Sequence, residues 1–293
     1  MAFGNKEKKA GHMTPKISRQ QQAMICDGLS FAASEAYKLL RTNLSFTLPE
    51  KSCRILGVTS SIRGEGKSTT SVNLAYTFAQ AGKKVLLIDA DMRLPSISNK
   101  LMISGIPGLS NVLAGLSEEK DARRVSKYFS NWHILPAGDI PPNPSELLGS
   151  ERMHALLERY SQVFDVIILD LPPVNIVADA LVISKWTDGL VLVVRQNYSD
   201  KKSLDDCMYQ IEKLQVKFLG FVMTASDVGE TAYKRYGKYG RASRYGYGYG
   251  YSEPSSDGKN EKAFIDAAAS EGKQVPGGTG SSGGGDRDGD FWK

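Results

Sequence analysis

The sequence predicts an α/β domain built on a doubly wound, mostly parallel sheet, and three features carry that reading. Short runs that are apolar throughout alternate with amphipathic stretches, as strands buried on both faces require. A glycine-rich turn joins the first such strand to a helix, and two later strands run into aspartates. Right-handed crossovers then wind the helices onto both faces of one sheet.

In chain order, residues 1–25 are polar and basic (Lys6, Lys8, Lys9, Lys16, Arg19) without apolar periodicity, which predicts a flexible arm. Residues 34–43 follow as a helix, halted by Pro49. The domain proper spans 26–230. Its strands are expected at 55–58, 85–88, 132–135, 166–169, 190–194 and 218–223, and its helices at 68–80, near 178–185 and at 201–214. Composition changes near Thr231: a tyrosine cluster occupies 231–252, and a Gly/Ser-rich tail occupies 253–293. That tail lacks the apolar area to offset its ordering entropy, so disorder is expected, with a short helix around 261–269.

Composition limits the function classes. Of 293 residues, 41% are hydrophobic and 24% charged, ordinary for a globular protein. No run approaches the roughly 20 apolar residues that cross a bilayer, and the N-terminus has no signal-peptide core, so a cytoplasmic protein is expected. Three cysteines without CxxC spacing argue against a disulfide framework or a zinc site. A net charge of +5 is too mild to argue for nucleic acid.

The segment from Thr59 to Thr69 (TSSIRGEGKST) lies between a strand and a helix. Glycines there let backbone N–H groups close around phosphate oxygens, and the helix N-terminus adds partial positive charge. Gly64, Glu65, Gly66, Lys67, Ser68 and Thr69 are the candidate nucleotide-binding residues, although Ser61 stands where such loops usually begin with glycine. Lys67 would reach the phosphates and Ser68 would hold Mg²⁺. The bland alternative is a helix-capping turn. Asp89 and Asp91, two apart at one strand end, and Asp170 at another, converge where open parallel sheets bind ligands. Three acids beside Lys67 can hold hydrated Mg²⁺ and accept a proton from an attacking hydroxyl, so ATP and Mg²⁺ are the expected cofactors. Seven of the 13 tyrosines (Tyr233, Tyr236, Tyr239, Tyr245, Tyr247, Tyr249, Tyr251) fall between 233 and 251 among glycines and cations. They suit exposed phosphoacceptors; a sticky tail or an aromatic strip for single-stranded nucleic acid are the alternatives.

In combination these motifs, with Ile140-Pro-Pro-Asn-Pro-Ser-Glu-Leu-Leu148 and Asp170-Leu-Pro-Pro173, resemble the bacterial tyrosine kinases of capsular and exopolysaccharide synthesis, specifically the cytoplasmic member of the two-protein arrangement. The resemblance implies a P-loop NTPase of the deviant Walker A (MinD/ParA-like) kind that autophosphorylates its tail in trans. It assigns activation of the tyrosine to Asp89, assistance at the metal to Asp91, phosphate and Mg²⁺ contacts to Lys67 and Ser68, and support of Mg²⁺ to Asp170. It further implies a ring of subunits assembled through Glu35, Lys38 and Arg41 and dissociated by phosphorylation. A membrane-spanning activator of the polysaccharide co-polymerase type would recruit the chain to the inner face of the membrane, a tyrosine phosphatase would oppose it, and no nucleic acid is expected. From spacing alone, Glu35 and Lys38 fit equally well as a local pair on a solvated helix face.

Three departures from the family pattern stand out. Lys38 replaces arginine and loses bidentate geometry. Thr224 replaces an asparagine near the adenine. About 40 residues follow the last clustered tyrosine, where relatives often end. The rival reading is a positioning ATPase switch of the same superfamily without kinase activity. Such switches carry an early loop lysine, whereas Ile62 and Arg63 precede Gly64 here.

Overall fold

The computed structural model describes residues 24–48 and 50–226. Most of the basic arm, the tyrosine cluster, the Gly/Ser-rich tail and the helix expected at 261–269 lie outside the described residues.

A 3-10 turn at Cys26–Gly28 leads into α1 (Phe31–Thr47). The helix starts one turn earlier than its apolar pattern suggests because the Ser30 hydroxyl caps the Ala33 N–H at 3.3 Å. Strand β1 (Arg54–Ser60) feeds α2 (Lys67–Gln80), and β2 (Val85–Asp89) follows. Three short helices, α3 (Ile97–Leu101), α4 (Leu109–Leu113) and α5 (Glu119–Ala122), precede β3 (Arg124–Val125) and β4 (Trp132–Leu135). Next come α6 (Pro144–Leu148), α7 (Glu151–Ser161), β5 (Val166–Asp170) and α8 (Asp179–Ser184). Finally β6 (Gly189–Arg195), α9 (Lys201–Lys213) and β7 (Phe218–Thr224) complete the domain.

The sheet runs β3-β4-β2-β5-β1-β6-β7. Every pairing is parallel except β3 with β4. All six expected strands are present; β3 is an addition, two residues long and too short for periodicity to reveal. The short helices α3 to α6 and the longer α7 are further additions; the buried stripe of α7 (Met153, Leu156, Leu157, Tyr160) is interrupted by charges.

Alternation along each strand sorts the core into two layers. Leu86, Ile88, Ile167 and Leu169 face α7, α8 and α9, whereas Val85, Leu87, Val166 and Ile168 face α1, α2 and α3. Burying one such side chain contributes roughly 1.5–3 kcal/mol. Parity also aims the strand-end acids. Asp89 continues the Val85–Leu87 series and Asp170 the Val166–Ile168 series, so both carboxylates turn toward α2 and α3.

Candidate active site

Strand register makes the first decision. Asp89 and Asp170 are direct partners across the β2–β5 pair, and Val58 of β1 flanks Asp170 on the other side. The turn leaving β1 therefore arrives beside both acids. Gly64 and Gly66 take positive φ values of 84° and 99°, a conformation that a side chain resists. Gly66 caps α2 with Lys67 as the first helical residue.

Lys67 holds the cluster together. Its Nζ lies 2.7 Å from Asp91 Oδ2, 3.8 Å from Asp170 Oδ2 and 3.3 Å from Ser68 Oγ. Ser71, one turn along α2, donates to Asp170 Oδ1 at 3.0 Å. Asp89 Oδ2 accepts the Ser96 and Ile97 N–H groups at 3.1 and 3.0 Å, which ties it to the start of α3. Asp89 Oδ1 and Asp170 Oδ2, both buried, have no hydrogen-bond partner among the described residues. The expected residues Lys67, Ser68, Asp89, Asp91 and Asp170 are thus assembled at one end of the sheet.

The electrostatics follow from burial. Asp89 and Asp170 are fully buried. Desolvation, then repulsion from Asp170, raises Asp89 to about 8, opposed by the Ile97 N–H and Lys67. Asp170 is raised as well, first by burial and against the pull of Lys67. Burial works against the charge on Lys67, but Asp170 and Asp91 outweigh it and the net shift is upward. A site with this excess of buried carboxylate favours a cation. Among the described residues no three His, Cys, Asp or Glu side chains form a ready-made metal cage. Mg²⁺ needs none, since it keeps several waters and uses one or two carboxylates plus phosphate oxygens. The Asp89 and Asp170 oxygens that accept no hydrogen bond, with the Ser68 hydroxyl near Lys67, fit that requirement.

Some residues have other duties. Glu65 is fully buried, its carboxylate accepting the Ser61 hydroxyl (2.9 Å), the Ile62 N–H (2.8 Å) and the Ser199 hydroxyl. Its side chain is a strut inside the loop, which leaves its backbone N–H for a phosphate. Thr224 donates to the Glu65 carbonyl at 2.6 Å. On α1 the Lys38 ammonium pairs with Glu35 at 2.7 Å, but Arg41 turns to the Thr77 carbonyl of α2 at 2.7 Å. Glu35 and Lys38 are brought together and Arg41 is not.

Two participants, Asp179 and Lys100, carried no sequence signal. Arg93 grips buried Asp179 through Nε (3.0 Å) and Nη2 (3.2 Å), and Nη2 also reaches Ser145 Oγ (3.2 Å). This fork joins the Asp89–Arg93 motif to the Pro-rich motif through a third residue, Asp179, that belongs to neither. Lys100 on α3 is partly buried, and its pKa is lowered, chiefly by desolvation, within the fields of Asp170 and Lys67. Neither Asp179 nor Lys100 sits in a motif, so only the folded arrangement identifies them.

A phosphate loop at a helix N-terminus, served by acids on neighbouring parallel strands, defines the class: a P-loop nucleotide-binding protein. Residues 53–220 match a family model described as an AAA domain. The tyrosine-protein kinase YwqD of Bacillus subtilis is 36% identical over 72% of this chain and 88% of its own length. The tyrosine-protein kinase CpsD of Streptococcus agalactiae is 37% identical over 72% and 91%. The kinase domain of the Escherichia coli tyrosine kinase ETK superposes with a TM-score of 0.62 at 32% identity, covering 74% and 80%. The chain belongs to the bacterial tyrosine-protein kinase family.

Proposed function

We propose that the chain transfers the γ-phosphoryl group of ATP to tyrosine hydroxyls, those of the Tyr233–Tyr251 cluster on a neighbouring copy first among them. The observation that carries this reading is the gathering of Lys67, Asp89, Asp91 and Asp170 around the phosphate loop, with one oxygen of Asp89 and one of Asp170 accepting no hydrogen bond. N–H groups of Gly64 to Thr69 hold the phosphates. Lys67 exchanges its Asp91 contact for a phosphate oxygen. Ser68, Asp89 and Asp170 would hold Mg²⁺, which when bound neutralises charge on the transferring group. Asp89 takes the phenol proton as the tyrosine oxygen bonds to phosphorus and the bond to ADP breaks. Asp91 keeps Lys67 oriented between turnovers.

The names of the relatives and the tyrosine cluster favour this over a nucleotide switch. No helix among the described residues is long and apolar enough to cross a membrane. Recruitment to the inner face of the membrane by a membrane-spanning activator, service in capsular or exopolysaccharide synthesis, and reversal by a tyrosine phosphatase complete the proposal. Self-association would use the α1 face bearing Glu35 and Lys38, with Arg41 released from Thr77 to join it.

The test is incubation with Mg-ATP and an activator fragment, followed by phosphosite mapping. Phosphotyrosine between 233 and 251 is expected, and its complete absence overturns the reading. Light scattering before and after ATP should show the assembly shrinking, since clustered phosphates repel; one unchanged mass removes the assembly proposal.

A further inference from the structure

A phosphate loop works when its N–H groups point inward, and in a planar trans peptide this forces the preceding carbonyl outward. Outward carbonyls need donors. Each here has one. The Arg63 carbonyl accepts the Tyr198 hydroxyl at 3.1 Å, and the Gly64 carbonyl accepts Arg195 Nη1 at 3.2 Å. The Glu65 carbonyl accepts the Thr224 hydroxyl at 2.6 Å, and the Gly66 carbonyl accepts the Thr70 N–H of α2 at 2.9 Å. The first three donors share one origin: Arg195 and Thr224 are register partners at the ends of β6 and β7, and Tyr198 lies on the turn between β6 and α9. Ser199 of the same turn accepts the Arg195 N–H at 2.8 Å and donates to the Glu65 carboxylate.

We propose that Tyr198, Arg195 and Thr224 are positioning residues that form an outer clasp, each fixing one peptide plane of the phosphate loop. Tyr198 aims the Gly64 N–H, Arg195 the Glu65 N–H and Thr224 the Gly66 N–H. Glycine is why the clasp is needed. Gly64 and Gly66 sit at positive φ and can adopt many other conformations, so their sequence alone does not select the inward orientation. Fit is close on the outside: a Cβ on Gly64 would lie 2.8 Å from the Tyr198 hydroxyl, and one on Gly66 would lie 3.3 Å from Thr224 Cγ2. None of the three donors sits in a loop motif, and Thr224 acts here on the loop backbone.

The inference rests on the nucleotide-binding reading, and the experiment separates the two. Calorimetry on the full chain would compare Mg-ATP with Mg-tripolyphosphate, which has phosphates but no base, for wild type, Tyr198→Phe, Thr224→Val and Thr224→Ser. Wild type that takes up neither ligand defeats the nucleotide-binding reading. Wild type that binds while the variants bind equally well defeats the clasp alone. The clasp predicts that Tyr198→Phe and Thr224→Val each weaken both ligands about fivefold to tenfold, the worth of one hydrogen bond. Thr224→Ser should restore affinity. The KM for ATP should rise by the same factor, with kcat within about twofold. Loss confined to ATP at Thr224→Val would make Thr224 a base-reading residue instead. Weakening that only tracks a falling melting temperature would make it a general packing effect; either result overturns the proposal.

Discussion

The two ends of the sheet invite comparison because both carry buried acids, yet only one is built for a ligand. At the N-terminal end of β1 an open hollow of about 450 Å³ is lined by Lys51, Cys53, His154, Lys185, Trp186 and Asp188. Its acid is fully satisfied: Asp188 takes Lys51 at 2.6 Å through one oxygen and the Ile55 N–H at 2.8 Å through the other. His154 stacks on Trp186, with centroids 5.2 Å apart, and Lys185 covers the same ring. At the C-terminal end, Asp89 and Asp170 are buried but each keeps an oxygen that accepts no hydrogen bond, Asp170 Oδ2 having only the Lys67 ammonium at 3.8 Å. Room is therefore a poor guide to chemistry in this molecule. Buried carboxyl oxygens without hydrogen bonds are the better one, because leaving such a group unsatisfied is costly unless a ligand supplies the missing contact.

The largest expected effect breaks the comparison at its stronger end. Lys67→Met and Asp89→Asn should each lower phosphoryl transfer by at least roughly 10²–10³-fold, the scale for removing one fixed charge partner of a transition state. Circular dichroism should show the fold retained. Full activity in Asp89→Asn would exclude it as proton acceptor. Next in size is the core that holds the two ends apart. Leu87 is fully buried against α1–α3, and Leu87→Ala should destabilise the domain by about 2–5 kcal/mol in urea unfolding.

A pH series sharpens the contrast. Asp89 binds a proton more tightly folded than unfolded, so the folded state holds the extra proton between its unfolded value near 3.8 and its folded value near 8. Stability of the nucleotide-free protein should therefore fall as pH rises across that window. Asp89→Asn should flatten the slope, and so should saturating Mg-ATP. An unchanged slope in the variant would show that Asp89 is not the group responsible.

Much of this end of the molecule was legible in the sequence, for a physical reason. Buried parallel strands are continuous apolar runs, and the phosphate loop and strand-end acids follow them directly, so motif and topology coincide at Lys67, Asp89, Asp91 and Asp170. What stayed hidden depends on contacts between distant segments. Asp179 holds Arg93 from 86 positions away, and Thr224 holds Glu65 from 159. Helix α7 was obscured because Glu151, Arg152, Glu158 and Arg159 surround its apolar stripe. Glu35, Lys38 and Arg41 illustrate a limit of spacing: three positions aligned on one helix divide between a local pair and an anchor on α2.

The smallest expected effect belongs to the opposite end, and it tests whether that hollow is inert. Lys51 is 55% exposed while Asp188 is 7% exposed, so the pair is solvated on one side only. Lys51→Ala should change stability by no more than about 1 kcal/mol, since water screens the exposed Lys51 end of the pair and Asp188 keeps the Ile55 N–H. Asp188→Ala should cost more, about 1–3 kcal/mol, because it orphans that N–H at the start of β1. Neither should alter phosphoryl transfer per folded molecule. A fall in specific activity in Lys51→Ala without a matching loss of stability would mean that the hollow communicates with the phosphate loop along β1, and the contrast between the two ends would have to be abandoned.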